Sequence, residues 1–157
     1  NLLPEARIAP ASEAASRAGV SSAWIARRGT RAVGVILRAT ATDGYSGAIT
    51  MLVGLDPDGQ VLGVRVVAHR ETPGLGDAIE VERSDWINQF TGTRLATPPG
   101  ERWRLRRDNG EFDGITGATI SARAVTRAVH RALLYFEAHG EALLAPPPLL
   151  PVAEPSE

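Results

Sequence analysis

Between residues 120 and 139 the apolar side chains fall into a helical period: Ala122, Val125, Val129, Ala132, Leu133 and Phe136 recur at spacings of three and four and trace one face. A helix of that length with one apolar face is stable only when the face is covered, and the cover has to come from the preceding chain. Three runs there are rich in β-branched and apolar residues, at 31–40, 48–55 and 60–68. A fourth, at 102–107, sets Trp103 and Leu105 in alternation with Arg102, Arg104 and Arg106. The expected fold is α+β, an antiparallel sheet of these four strands packed by the long helix of the C-terminal half, in a single domain.

The connections fit that scheme. Thr42-Asp43-Gly44 and Asp56-Pro57-Asp58-Gly59 have turn composition, the second predicting an antiparallel hairpin. Residues 71–77, with one proline and two glycines, predict a loop. Ser84 is placed to cap a short helix over 85–90 that stops near Gly92, and Asp108-Asn109-Gly110 turns the chain before Phe112 returns to the core. Gly140 is the expected end of the long helix. Residues 1–28 read as a lead-in with one helix over 12–18, and the prolines after Ala145 predict a tail without regular structure. Arg123, Arg127 and Arg131 share the helix's other face, read as solvated rather than as a docking surface.

Composition narrows the chemistry. The 157 residues suit one core. A net charge of -1 gives no electrostatic case for nucleic acid. With no cysteine, disulfides, thiolate metal sites and cysteine-ligated iron–sulfur clusters are excluded together, so any redox chemistry belongs to a bound organic cofactor. His69, His130 and His139 do not form a ligand pair at metal-site spacing, and no metal site is expected. No stretch approaches the roughly 18 consecutive apolar residues of a membrane-spanning helix.

One segment can hold an anion. Asp113-Gly114-Ile115-Thr116-Gly117-Ala118-Thr119 directly precedes the long helix, which puts Thr119 in a first turn whose free N–H groups and dipole favour a phosphate. The segment lacks the ending of a P-loop and the glycine spacing of a dinucleotide fingerprint. On these residues alone, a glycine turn with a threonine cap and a phosphate site stand level.

The same seven residues resemble the flavinylation motif of the FMN-binding domain family, an aspartate and a small-residue turn ending in Gly-Ala-Thr. The stretch from 110 to 125 is similar to that of the G subunits of Rnf-type (Rsx) ion-translocating electron-transport complexes. His69-Arg70-Glu71-Thr72-Pro73-Gly74-Leu75-Gly76-Asp77 resembles the family's ring-facing loop, and Gly44-Tyr45-Ser46-Gly47 a further signature. Ser121 stands where relatives often have threonine and keeps the hydroxyl. The resemblance runs in order from about residue 30 to 138 and implies FMN joined covalently to Thr119 as a phosphoester. Thr116, Gly117, Ala118, Ser121 and Asp113 would surround the attachment point. Glu71, Thr72, Gly74, Leu75 and Gly76, with Tyr45 and Ser46, would face the ring.

The resemblance further implies an electron relay within a membrane-bound oxidoreductase, with no catalysis by this chain alone. Partners would be the other membrane subunits of the Rnf complex and a flavin transferase that loads the FMN. The chain would divide into a lead-in at 1–29 following a removed N-terminal membrane anchor, an FMN-binding domain at 30–140 and a tail at 141–157, with the domain on the periplasmic side of the inner membrane. The alternatives are the C subunit of a sodium-pumping NADH:quinone reductase, which shares the flavinylated threonine, and a non-redox module holding a phosphorylated ligand reversibly.

Overall fold

The computed structural model describes residues 13–145; the first twelve residues and the tail from 146 onward lie outside the described residues. Helix α1 (Glu13–Ala18) leads into strand β1 (Val20–Arg28), followed by β2 (Arg31–Ala41), β3 (Ile49–Leu55) and β4 (Val61–Ala68). The four strands form one antiparallel sheet in chain order. Helix α2 (Thr119–Leu144) packs on β1, β2 and β3, and between β4 and α2 the chain forms 3₁₀ turns at Gly76–Ile79, Trp86–Phe90, Gly100–Arg102 and Arg106–Asp108. Among the described residues no helix is long and apolar enough to cross a membrane.

The α+β class and the sheet-on-helix packing are as the periodicity predicts, and so are three of the four strands. All six residues of the expected helix face are buried, against Leu37, Met51, Val53 and their neighbours. The hairpin at 56–59 forms through Gly59 N–H donating to the Asp56 carbonyl at 3.0 Å, with the Asp56 carboxylate accepting from the amides of Asp58 and Gln60. The Ser84 hydroxyl accepts from Trp86 N–H at 3.1 Å, at the start of the expected short helix.

Three expectations need correction. The sheet's first strand is β1, inside the segment read as a lead-in; it pairs with β2 across Gly29-Thr30, where Gly29 has φ +64°. Small and polar residues fill β1, so its inward pair Ala23 and Ile25 gave little alternation to read. Residues 102–107 are not a strand. Trp103 and Leu105 are buried, but the segment runs from the last residue of one 3₁₀ turn into the next and makes only the isolated bridge Leu105–Phe112 among the described residues. Alternation reports that one side of an extended chain faces the core, not that a sheet edge is beside it. Finally, α2 continues through Gly140 to Leu144. A Cβ at Gly140 would lie 3.0 Å from the Phe136 ring, so this glycine makes room within the helix; the stop comes from Pro146, which disfavours helical backbone in the residue before it.

Aromatic packing seats the loop segment on α2. Phe90, Trp103 and Phe112 contact one another with centroids 4.7–6.3 Å apart, and Trp103 stacks on His130 at 5.4 Å and 4°. Burial, then the nearby Arg131 charge, holds the His130 imidazole below its ordinary value of 6.5. The folded chain thus resists a proton that the unfolded chain accepts, so this contribution to stability is whole above the unfolded value and is lost as pH falls below it toward the folded one. Thermal unfolding followed from about pH 7.5 to about pH 5 should show Tm falling, and His130→Phe should flatten that fall; an equal slope in the variant would refute the assignment.

Candidate functional site

The turn before α2 is fixed from behind. Asp113 donates its N–H to Gln89 Oε1 at 2.8 Å, and its carbonyl accepts from Trp86 Nε1 at 2.6 Å and Gln89 Nε2 at 3.2 Å. Its carboxylate pairs with Arg106 at 2.7 Å. Ala118 N–H then closes a turn on the Ile115 carbonyl at 2.9 Å, with Gly117 at φ +80°. Ala118 occupies the N-cap position and has no side-chain bond to offer, so Thr119 is the first helical residue and not a cap. The first bond into the helix is Ala122 N–H to the Ala118 carbonyl, which leaves the amides of Thr119, Ile120 and Ser121 ahead of the intrahelical ladder. The Thr119 hydroxyl accepts from Arg107 Nη1 at 2.9 Å.

A second loop meets this turn through one buried carboxylate. Glu71 is 4% exposed. Its Oε1 accepts from Tyr45 N–H at 2.9 Å and from Ser121 Oγ at 2.7 Å, and its Oε2 accepts from Ser46 N–H at 2.8 Å. His69 Nδ1 accepts from the Glu71 amide, and His69 Nε2 lies 2.9 Å from Glu80 Oε1. Three segments distant in sequence are joined at that carboxylate: the loop between β2 and β3, the loop after β4, and the first turn of α2. Gly76 packs directly on the junction, where a Cβ would stand 2.7 Å from Glu71 Cβ and 3.0 Å from Ser121 Oγ.

Above the junction opens a cleft of about 470 Å³. Its walls are Thr72, Leu75 and Gly76 on one side and Gly117 to Ser121 on the other, with Tyr45 at the rim. The Leu75 side chain leans over Gly117, within 3.2 Å of where a Cβ would be. A larger cleft, about 600 Å³, lies between Trp103, Arg104 and the next turns of α2. We take the smaller one as the candidate site because it holds the unbonded helix amides and draws on all three segments named from the sequence, whereas Asp108 and Arg123 in the larger one neutralise each other.

Comparison with known proteins places the chain. The FMN-binding domain profile matches residues 44–134, more than half of the sequence. The chain belongs to the FMN-binding domain family. It is 55% identical to the G subunit of the ion-translocating oxidoreductase complex of Pseudomonas aeruginosa over 79% of this chain and 58% of that protein. It is 51% identical to the protein of the same name from Escherichia coli K12, over 74% of this chain and 57% of that one. The chain thus spans somewhat over half the length of these relatives. In fold it is similar to the NqrC of Shewanella oneidensis, with a TM-score of 0.61 at 23% identity, covering 78% of this chain and 60% of that one.

Within this FMN-binding domain the residues singled out from the sequence divide into two groups. Tyr45, Thr72, Leu75, Gly76, Gly117, Ala118, Thr119 and Ser121 meet at the cleft. Glu71 lies beneath it, and Ser46 contributes through its amide. Gly74 is exposed at φ +80° with open space around it, so its backbone conformation and not a close approach calls for glycine. Thr116 is exposed within the turn, and Asp113 serves behind it. Sequence reasoning missed Ile120, 47% exposed on the cleft wall, as well as Arg107, Trp86 and Gln89. An apolar side chain at the exposed second position of a helix was the one available signal for Ile120.

Proposed function

We propose that this chain is the flavin-carrying part of the G subunit of an Rnf-type ion-translocating oxidoreductase, with FMN joined to Thr119 as a phosphoester and relaying electrons between other subunits. The observation that carries the reading is the position of Thr119: first residue of α2, side chain in the wall of a cleft of cofactor size, beside amides free to bond a phosphate. The residues present fit the group. Gly76 admits no side chain at the cleft floor, Leu75 offers an apolar surface over Gly117, and Arg107 and the helix N-terminus supply positive charge where a phosphate would stand.

FMN held there would supply one- and two-electron chemistry through its ring. This chain's part is to bind and orient. Thr119 provides the bond, the amides at the start of α2 that precede the intrahelical ladder would be available to the phosphate, and Glu71 fixes the two loops that carry the walls. The names and the identities of the relatives support the same complex. The reading extends to an N-terminal anchor upstream of Asn1, the periplasmic side of the inner membrane, and loading by a transferase that takes FMN from FAD.

The test is a loading experiment. Coexpressed with a flavin transferase, the protein should gain the mass of one FMN less one water and keep its yellow absorbance through denaturation and gel filtration; without the transferase it should be colourless and folded. Colour lost on denaturation would instead favour the reversible phosphate-binding module, for which the helix N-terminus alone suffices. No uptake under either condition would defeat both readings.

A further inference from the structure

The segment from 102 to 110 is tightly built for a loop with no assigned task. Gly110 donates its N–H to the Leu105 carbonyl at 2.9 Å, and a Cβ there would stand 1.8 Å from the Arg104 carbonyl oxygen, so nothing but glycine fits. Arg102 is paired to Glu111 at 2.7 Å, and Arg106 to Asp113 at 2.7 Å. Asp108 is held by Arg123 through two bonds of 2.9 and 3.0 Å. The side chains on either side of Arg107 are thereby fixed to carboxylate or guanidinium partners. Arg107 differs: its bond runs to the neutral Thr119 hydroxyl, and no carboxylate lies within ion-pair distance of it among the described residues.

A guanidinium gains far more from an anionic acceptor than from a hydroxyl, and its planar fork suits phosphate oxygens in particular. We infer that Arg107 is the counter-ion of the phosphate joined to Thr119, positioned by the 102–110 segment for that purpose. The inference rests on the reading of Thr119 given above and names the residue that holds the charge. On attachment, Thr119 Oγ forms a bond to the FMN phosphorus of FAD, the pyrophosphate bond breaks and AMP leaves with its bridging oxygen. The hydroxyl proton is released, and no atom changes oxidation state. The product is a diester with one negative charge, its free oxygens bonded to the same phosphorus as the Thr119 Oγ that Arg107 already contacts, two P–O bonds away. The amides at the start of α2 complete the set of donors.

The experiment compares Arg107→Gln, Arg107→Lys and Arg104→Gln in the full-length protein with a limiting amount of transferase. It reads the rate of mass gain and the phosphorus-31 resonance of the loaded protein. Arg107→Gln should slow attachment about tenfold, the usual effect of one charge-assisted bond, and should shift the phosphorus resonance. Arg107→Lys, which keeps the charge and loses the fork, should fall between. Arg104→Gln, whose side chain makes no bond to Thr119, should behave as the unaltered protein. If Arg107→Gln loads at the unaltered rate with an unshifted resonance, the inference is overturned. Slower loading with an unshifted resonance also overturns it, by placing Arg107 in contact with the transferase and not the phosphate. Failure of the unaltered protein to load would reject the Thr119 reading and this inference together, an outcome distinct from failure of the Arg107 variants alone.

Discussion

Thr119→Ala should reduce covalent flavin from near one per chain to none, measured as absorbance retained after denaturation and gel filtration. The substitution removes a half-exposed side chain from the first residue of a helix, where alanine is a good helix former, so stability should stay within about 0.5 kcal/mol and the loss cannot be ascribed to unfolding. Thr119→Ser keeps the hydroxyl but loses the methyl that restricts it, and should load in part. Two neighbours serve as controls. Thr116 is exposed in the turn, and Thr116→Ala should load fully. Thr126 is buried and donates to the Ala122 carbonyl at 2.8 Å, so its hydroxyl is out of reach; Thr126→Ala should load fully at a stability cost of about 1 kcal/mol. Flavin mapped to either control residue would sink the assignment.

Glu71→Gln should be the most damaging near-isosteric change in the domain. The amide nitrogen it introduces must face either the Tyr45 N–H and Ser121 hydroxyl or the Ser46 N–H, setting donor against donor at a junction with almost no access to water. Loss of a buried, charge-assisted bond of this kind should cost about 3 kcal/mol, which for a chain of this size lowers Tm by about 10 °C. In loaded protein the flavin's fluorescence anisotropy should also fall, because the loops that carry Leu75 and Tyr45 are no longer tied to α2. A Tm within about 2 °C of the unaltered protein would show that the carboxylate is not what joins them.

Much of the fold was legible because its largest element was. The six-residue stripe on α2 fixes a helix and the face it buries, and three β-branched runs fix the surface it covers. What escaped was decided by tertiary contacts that carry no local pattern. β1 has few β-branched residues and is a strand because β2 offers it a partner. Gly140 reads as a terminator on its own and becomes a helical residue because the Phe136 ring needs its space. Residues 102–107 alternate like a strand, but the Phe112 carbonyl and the aromatic cluster take up their bonds and side chains.

The candidate site divides along the same line. Thr119 and the loop at 71–76 were found from short contiguous motifs, and the structure brings them together. Arg107 was hidden in an arginine-rich run, RWRLRR, in which nothing distinguishes one guanidinium from the next until the chain is folded. The loop motif names Glu71 as a residue facing the ring, whereas its oxygens face inward to two amides and a serine, a partnership between residues 25, 26 and 50 positions apart.

The rim of the cleft bears on how electrons would come and go. Tyr45, Leu75 and Ile120 are 69%, 47% and 47% exposed, so the site is backed by the body of the domain and faces outward on its remaining side. A redox ring seated there would lie at the skin of the molecule, within short tunnelling range of any protein that docks on the rim, with no relay through the sheet required. It would also have a single doorway. Donor and acceptor would then have to use it in turn, and throughput would be set by how quickly one partner leaves and the other arrives.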